Sequence, residues 1–199
     1  MKLSIILLAT VTFCSWSTTN SGLDEKSSCK FVILILSYNN ERWALENLDS
    51  ACWQNSTNPY EIIYINDCST DATGKIVDEY VKKNHLENKV TVIHNDRNRG
   101  AMENAYYAIH NLISDDQIVV SLDGDDSFSH NNVLKILESY YDDPEGVWIT
   151  YGSCMCVPGG VTTMSQEVPR SVLDNGGLRQ HTFVTQHLRT FRAWLFKQI

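Results

Sequence analysis

Six consecutive apolar residues, Phe31-Val32-Ile33-Leu34-Ile35-Leu36, constrain this chain more than any other feature. A strand that alternates apolar and polar residues covers a core with one face, whereas a strand with no polar position needs apolar cover on both. The following sequence supplies that cover. Residues 41–54 carry an apolar side of Trp43, Leu45, Leu48, Ala51 and Cys52, and Tyr60-Glu61-Ile62-Ile63-Tyr64-Ile65 makes a second strand. Ile76, Val77, Tyr80 and Val81 then fall at helical spacing, with Ser69 or Thr70 available as a cap and Asp71 in a first turn that favours negative charge. The cycle repeats, with strands at 89–94, 117–122 and 147–151, a helix at 101–112, and a further helix on Val133, Leu134, Leu137 and Tyr141. The alternation predicts an α/β fold, a mostly parallel, Rossmann-like central sheet with helices on both faces, in one domain over residues 30–199.

The first residues stand apart. Lys2 precedes an apolar run at 3–13 and then the small-x-small pattern Ser15-Trp16-Ser17, so residues 1–17 read as a signal peptide and residues 18–29 as a polar linker. The run is shorter than the about 20 residues that cross a bilayer, so no stable transmembrane anchor is expected. Export or the secretory pathway is the expected location, with the cytoplasm as the alternative. Removing the leader leaves Cys29, Cys52, Cys68, Cys154 and Cys156, an odd number without a C-x-x-C pair. Small core residues, with at most one or two disulfides, are expected. Asn55-Ser56-Thr57 is a glycosylation sequon in an expected loop. The 24 acidic against 16 basic residues show no basic patch, which argues against nucleic acid as a partner.

Parallel sheets bind ligands beyond the carboxyl ends of their strands. Those places are polar here: Ser37-Tyr38-Asn39-Asn40, Asn66-Asp67, Asn95-Asp96 and Asp123-Gly124-Asp125-Asp126. One strand-helix unit separates the first from the second and two separate the second from the last, so all converge on one edge. No G-x-x-x-x-G-K-[ST] or G-x-G-x-x-G loop is present to cradle phosphates. The crowded carboxylates offer another means, because a divalent cation can bridge them to a diphosphate. Hard oxygen ligands suit Mg²⁺ or Mn²⁺. Gly124, lacking a side chain, is expected to let a ribose or phosphate approach the backbone.

In order, Val32 to Asn39, Ile65-Asn66-Asp67-Cys68-Ser69-Thr70-Asp71, Asn98-Arg99-Gly100 with Asn104, and Leu122-Asp123-Gly124-Asp125-Asp126 resemble the successive motifs of glycosyltransferase family 2, over roughly residues 31–155. The resemblance implies the GT-A nucleotide-sugar-binding fold and inverting transfer of a sugar from a donor that is commonly UDP- or GDP-linked. It implies a base pocket lined by Ser37 and Tyr38, with Asn39 beside them and Asp67 accepting a ring N–H. The family's usual Asp-Asp pair is Asn66-Asp67 here. Arg99 would contact diphosphate or base, and Asp123 both donor and metal. Asp123 and Asp125 would form the family's D-x-D element, with Asp126 as a further ligand to metal or ribose. His187 and Arg189, on a helix suggested by Phe191, Trp194 and Leu195, either reach the diphosphate or face solvent.

Inverting transfer also needs a base for the acceptor hydroxyl. After Glu145 the only carboxylates are Glu167 and Asp174, and the chain stops within an amphipathic pattern. The expectation is a chain truncated at the C terminus, with the base beyond Ile199 or supplied by one of those two. Two functions follow: a metal-dependent glycosyltransferase acting on a glycan, protein or lipid acceptor, and a nucleotide-sugar-binding module without turnover. A nucleotidyltransferase is disfavoured, because Ser37-Tyr38-Asn39 replaces the glycine-rich, basic loop it would need.

Overall fold

A computed structural model describes residues 2–10, 31–142, 146–157, 161–163, 168–176 and 186–199. The strands are β1 (Lys2–Thr10), β2 (Phe31–Ser37), β3 (Tyr60–Asn66), β4 (Val90–His94), β5 (Ile118–Asp123), β6 (Ser127–Phe128), β7 (Ile149–Val157), β8 (Val161–Thr163) and β9 (Gln186–Arg192). The helices are α1 (Ala44–Cys52), α2 (Thr73–Lys83), α3 (Ala101–Asn111), α4 (Val133–Tyr141), α5 (Arg170–Asp174) and α6 (Ala193–Phe196). They build one sheet in the order β4-β3-β2-β5-β9-β7-β1-β6, with β8 paired to β7.

The apolar run dictates the centre of this sheet. Along β2, Phe31, Ile33 and Ile35 face a core shared with α1, α2 and α4, while Val32 and Leu34 face a second core shared with α3 and α6. Both sets are essentially buried, as a strand without a polar face requires. β4, β3, β2 and β5 are parallel. Beyond β5 the expected parallel order ends: β9 runs antiparallel to β5, and β7 antiparallel to β9. The fifth expected strand is therefore a long antiparallel one, starting later than the apolar pattern suggested.

The carboxyl-terminal helix expected around His187 and Arg189 is instead strand β9. Its period is two: Leu188 and Thr190 are buried on one face, while His187, Arg189 and Phe191 fall on the other. Thr190 shares hydrogen bonds with Tyr141 Oη (2.7 Å) and Thr150 Oγ1 (2.6 Å), which satisfies a polar core position.

Residues 2–10, read from the sequence as part of a signal peptide, form β1 between β7 and β6. The linker at 18–29, Cys14, Cys29 and Glu167 lie outside the described residues. Cys52, Cys68 and Cys156 are free thiols, Cys52 and Cys154 are buried, and burial pushes the Cys52 thiol up to about 12. Among the described residues no helix is long and apolar enough to cross a membrane.

Candidate functional site

The parallel register sets the carboxyl ends of three strands side by side, with Ser37 opposite Asn66 and Leu36 opposite Asp123. Asp123 then opens a tight turn in which the Asp126 N–H donates to the Asp123 carbonyl at 3.0 Å. A turn of this kind brings its first and fourth residues together and projects the middle two at its tip. Asp123 and Asp126 are therefore neighbours, while Asp125 is carried to the tip.

β9 delivers a third group to this pair. His187 Nε2 is 3.9 Å from Asp123 Oδ2, and His187 Nδ1 is 3.7 Å from Asp126 Oδ2. Ligand atoms of Asp123, Asp126 and His187 all lie within 4.8 Å of one another. Where three carboxylates were expected, the structure gathers two carboxylates and an imidazole, and Asp125 is not a member. Burial holds the His187 imidazole below its ordinary range, against the pull of Asp123 and Asp125. A neutral ring with a lone pair beside two carboxylates is a mixed nitrogen and oxygen donor set. Arg189, two residues on, is exposed on the same strand face.

Asn47 of α1, which the sequence gave no reason to single out, anchors the turn. It is fully buried, and its amide donates to the carbonyls of Asp123 (2.9 Å) and Asp126 (2.8 Å). Asn47→Ala leaves both carbonyls without that donor and should cost about 2 kcal/mol of stability. Urea unfolding of parent and variant measures the loss. Equal stability of the two would show that the turn keeps its shape without Asn47.

Gly124 has a different neighbour from the one expected. A Cβ there would lie 2.5 Å from Ser37 Oγ and 2.7 Å from Asn40 Nδ2, so the missing side chain makes room for protein rather than for a ribose. Ser37 is accordingly buried, hydrogen-bonded to Asn40 at 3.1 Å, and packed against the acidic turn at Gly124. Tyr38, the next residue, is 47% exposed and presents its ring at the strand ends.

The loops after β2 and β3 are tied together. Asn39, in the left-handed region at φ 55°, accepts from the Thr70 N–H (2.8 Å), and its own N–H donates to Ser69 Oγ (2.9 Å). Asp71 accepts from the N–H groups of Thr73 (2.9 Å) and Glu41 (3.0 Å). Asp71, rather than Ser69 or Thr70, thus serves the start of α2, and these bonds hold its carboxyl below the usual range despite partial burial.

Asp67 is only 4% exposed. Its Oδ1 accepts from the Arg99 N–H (2.9 Å) and the Asn95 amide (2.7 Å), and its Oδ2 accepts from the Gly100 N–H (2.8 Å). Burial raises the carboxyl, but these donors outweigh it and leave it below its ordinary value. The carboxylate expected to accept from a base thus also accepts from the loop that starts α3. That loop turns at Gly100, φ 80°, a conformation suited to glycine. Arg99, expected on diphosphate or base, bonds Asp96 at 3.1 Å and lies 3.9 Å from Glu103. Of the two candidate bases, Asp174 is exposed on α5 and paired with Arg170 at 2.9 Å.

The family model for glycosyl transferase family 2 matches residues 32–199. No curated protein matches. Among solved structures, S. aureus TarS is 24% identical, with a TM-score of 0.58 over 85% of this chain and 29% of that one. Its 1-349 form in complex with UDP-GlcNAc is 24% identical, with a TM-score of 0.58 over 85% of this chain and 47% of that one. The mannosyltransferase PcManGT from Pyrobaculum calidifontis, in complex with GDP-Man and Mn²⁺, is 19% identical, with a TM-score of 0.58 over 84% of this chain and 46% of that one. The chain spans about half or less of the length of these structures and shares their fold.

Proposed function

The chain belongs to glycosyl transferase family 2, and on that premise we propose that it binds a nucleoside-diphosphate sugar at the carboxyl ends of β2, β3 and β5 and transfers the sugar, with inversion, to an acceptor hydroxyl. The observation that carries this reading is the Asp123, Asp126 and His187 cluster at the edge where parallel sheets take ligands. The UDP-GlcNAc and GDP-Man complexes of the similar structures support a donor of this class.

In this reading Tyr38 offers a ring face to the base, and the loop set by Asp67 and Asn39 shapes the pocket around it. Asp123, Asp126 and His187 hold a divalent cation, which neutralises the charge that develops on the departing diphosphate. A donor set with one imidazole favours Mn²⁺ over Mg²⁺. Arg189, exposed beside the cluster, adds a positive charge where a diphosphate would lie.

Calorimetric titration with UDP and GDP, with and without Mn²⁺, tests the reading. Expected is binding that requires Mn²⁺ and is weaker with Mg²⁺. Metal-independent binding, or none, would overturn it. Release of free sugar or transfer to an added acceptor then distinguishes an enzyme from a binding module. The binding-module alternative draws on Asp174, whose carboxylate is engaged by Arg170. We further propose that residues 1–17 act as a leader for export, so that β1 belongs to the precursor and leaves the sheet on cleavage. Protein from its native cell that retains Lys2 would refute this.

A further inference from the structure

On the sheet face that carries α3, the strand register lays out side chains in rows. Val32, Val119, Phe191 and Ile149 form one row; Leu34, Ser121, Arg189 and Tyr151 form the next. Leu36 and Asp123 follow at the strand ends. α3 stands along one side of this floor with Met102, Ala105 and Ile109, and Phe196 of α6 stacks on Phe191 at 5.7 Å between ring centres. They enclose a cavity of 580 Å³. That volume lies within the range of about 300–1,000 Å³ typical of small-molecule sites.

The rows are not chemically alike. The first is wholly apolar, the second mixes Ser121 and Arg189 with apolar groups, and the third ends on Asp123, which also belongs to the metal cluster. Polarity therefore rises in one direction and ends where the donor sugar would lie. At the rim Met102 is 72% exposed and Ile149 48%, an apolar entrance whose thioether adapts to irregular shapes.

Resting on the transferase reading above, we infer that this cavity holds the acceptor, and that the acceptor is an amphiphile whose apolar chain lies along the Val119 row while its hydroxyl-bearing head reaches Asp123. A wholly polar glycan would leave the apolar floor without a partner. An apolar chain with no head would leave the Asp123 carboxylate, at the polar end, against hydrocarbon. An amphiphile satisfies both ends.

The test uses n-octyl β-D-glucoside, below its micelle-forming concentration, against D-glucose, titrated into the full chain by calorimetry with UDP and Mn²⁺ measured separately. Expected is octyl glucoside binding at least about tenfold tighter than glucose. Ile149→Asp at the exposed rim and Ala105→Leu in the wall should each reduce it by about tenfold and leave UDP affinity unchanged. Equal binding of the two sugars, or no response to either variant, would overturn the inference. So would a dimer in sedimentation that Ile149→Asp dissociates, because a second copy would then cover this face. Octyl glucoside binding that responds to both variants, in a chain that fails to bind UDP, would uphold the amphiphile site and remove the transferase reading instead.

Discussion

UDP binding by an Asp123→Asn variant should fall about a hundredfold in the presence of Mn²⁺ and match the parent in its absence. The substitution keeps size and shape but removes one of two anionic ligands from the group formed with Asp126 and His187. The turn itself should survive, because Asn47 grips the backbone carbonyl of Asp123 rather than its side chain. Stability without metal should hold or rise, since removing the charge relieves repulsion with Asp126. Asp125→Asn, altering the turn tip, should weaken binding far less. Calorimetry on both variants decides the matter: if Asp125→Asn is the more damaging, the cation sits at the tip and His187 is no ligand.

The second large effect is on stability. Asp67→Asn replaces a buried carboxylate that accepts from Asn95, Arg99 and Gly100 with an amide that must turn an N–H toward one of them. Hydrogen bonds to charged groups contribute about 1.5–3 kcal/mol each, so a loss of about 3 kcal/mol at pH 7 is expected. The folded carboxyl titrates below its ordinary value of 3.8. The wild-type advantage is therefore complete above that value and is lost as pH falls through the folded pKa. Urea unfolding of parent and variant at pH 7 and under acid should show a gap that closes with acidification. A variant as stable as the parent at pH 7 would show that the loop before α3 does not depend on Asp67.

The half of the fold that rests on local pattern was legible. A run such as 31–36 admits only a doubly covered strand, and helical spacing placed α1 to α4 within a few residues. What lay beyond β5 was not, because Leu188 and Thr190 against His187, Arg189 and Phe191 make a period-two pattern only when the segment is read as a strand. The threonines buried at 150 and 190 look polar in sequence and become core groups only by bonding each other. The site shows the same division. Asp123 and Asp126 could be placed together from their spacing, whereas Asn47 and His187 come from elements 76 residues before and 64 after, with no local mark of their destination. Asp67 was found for its position, whereas its bonds to the N–H groups of Arg99 and Gly100 come from a loop whose approach no local pattern shows.

β9 is made after β7, yet it lies between β5 and β7 in the finished sheet. A nascent chain emerging from the ribosome can assemble β4, β3, β2 and β5 as soon as residue 123 is free, but β7, whose other partners are β1 and β8, cannot join that parallel half until residue 192 has followed. The carboxylates would meanwhile face each other without His187. Folding in two stages follows, with the parallel half protected first and the antiparallel half closing late, across a long sequence separation that slows such steps. Pulse-labelled amide exchange during refolding should record that delay as late protection of the amides in β9. The imidazole reaches the acidic turn only in that second stage, so the capacity to hold a cation is acquired after most of the sheet has already formed.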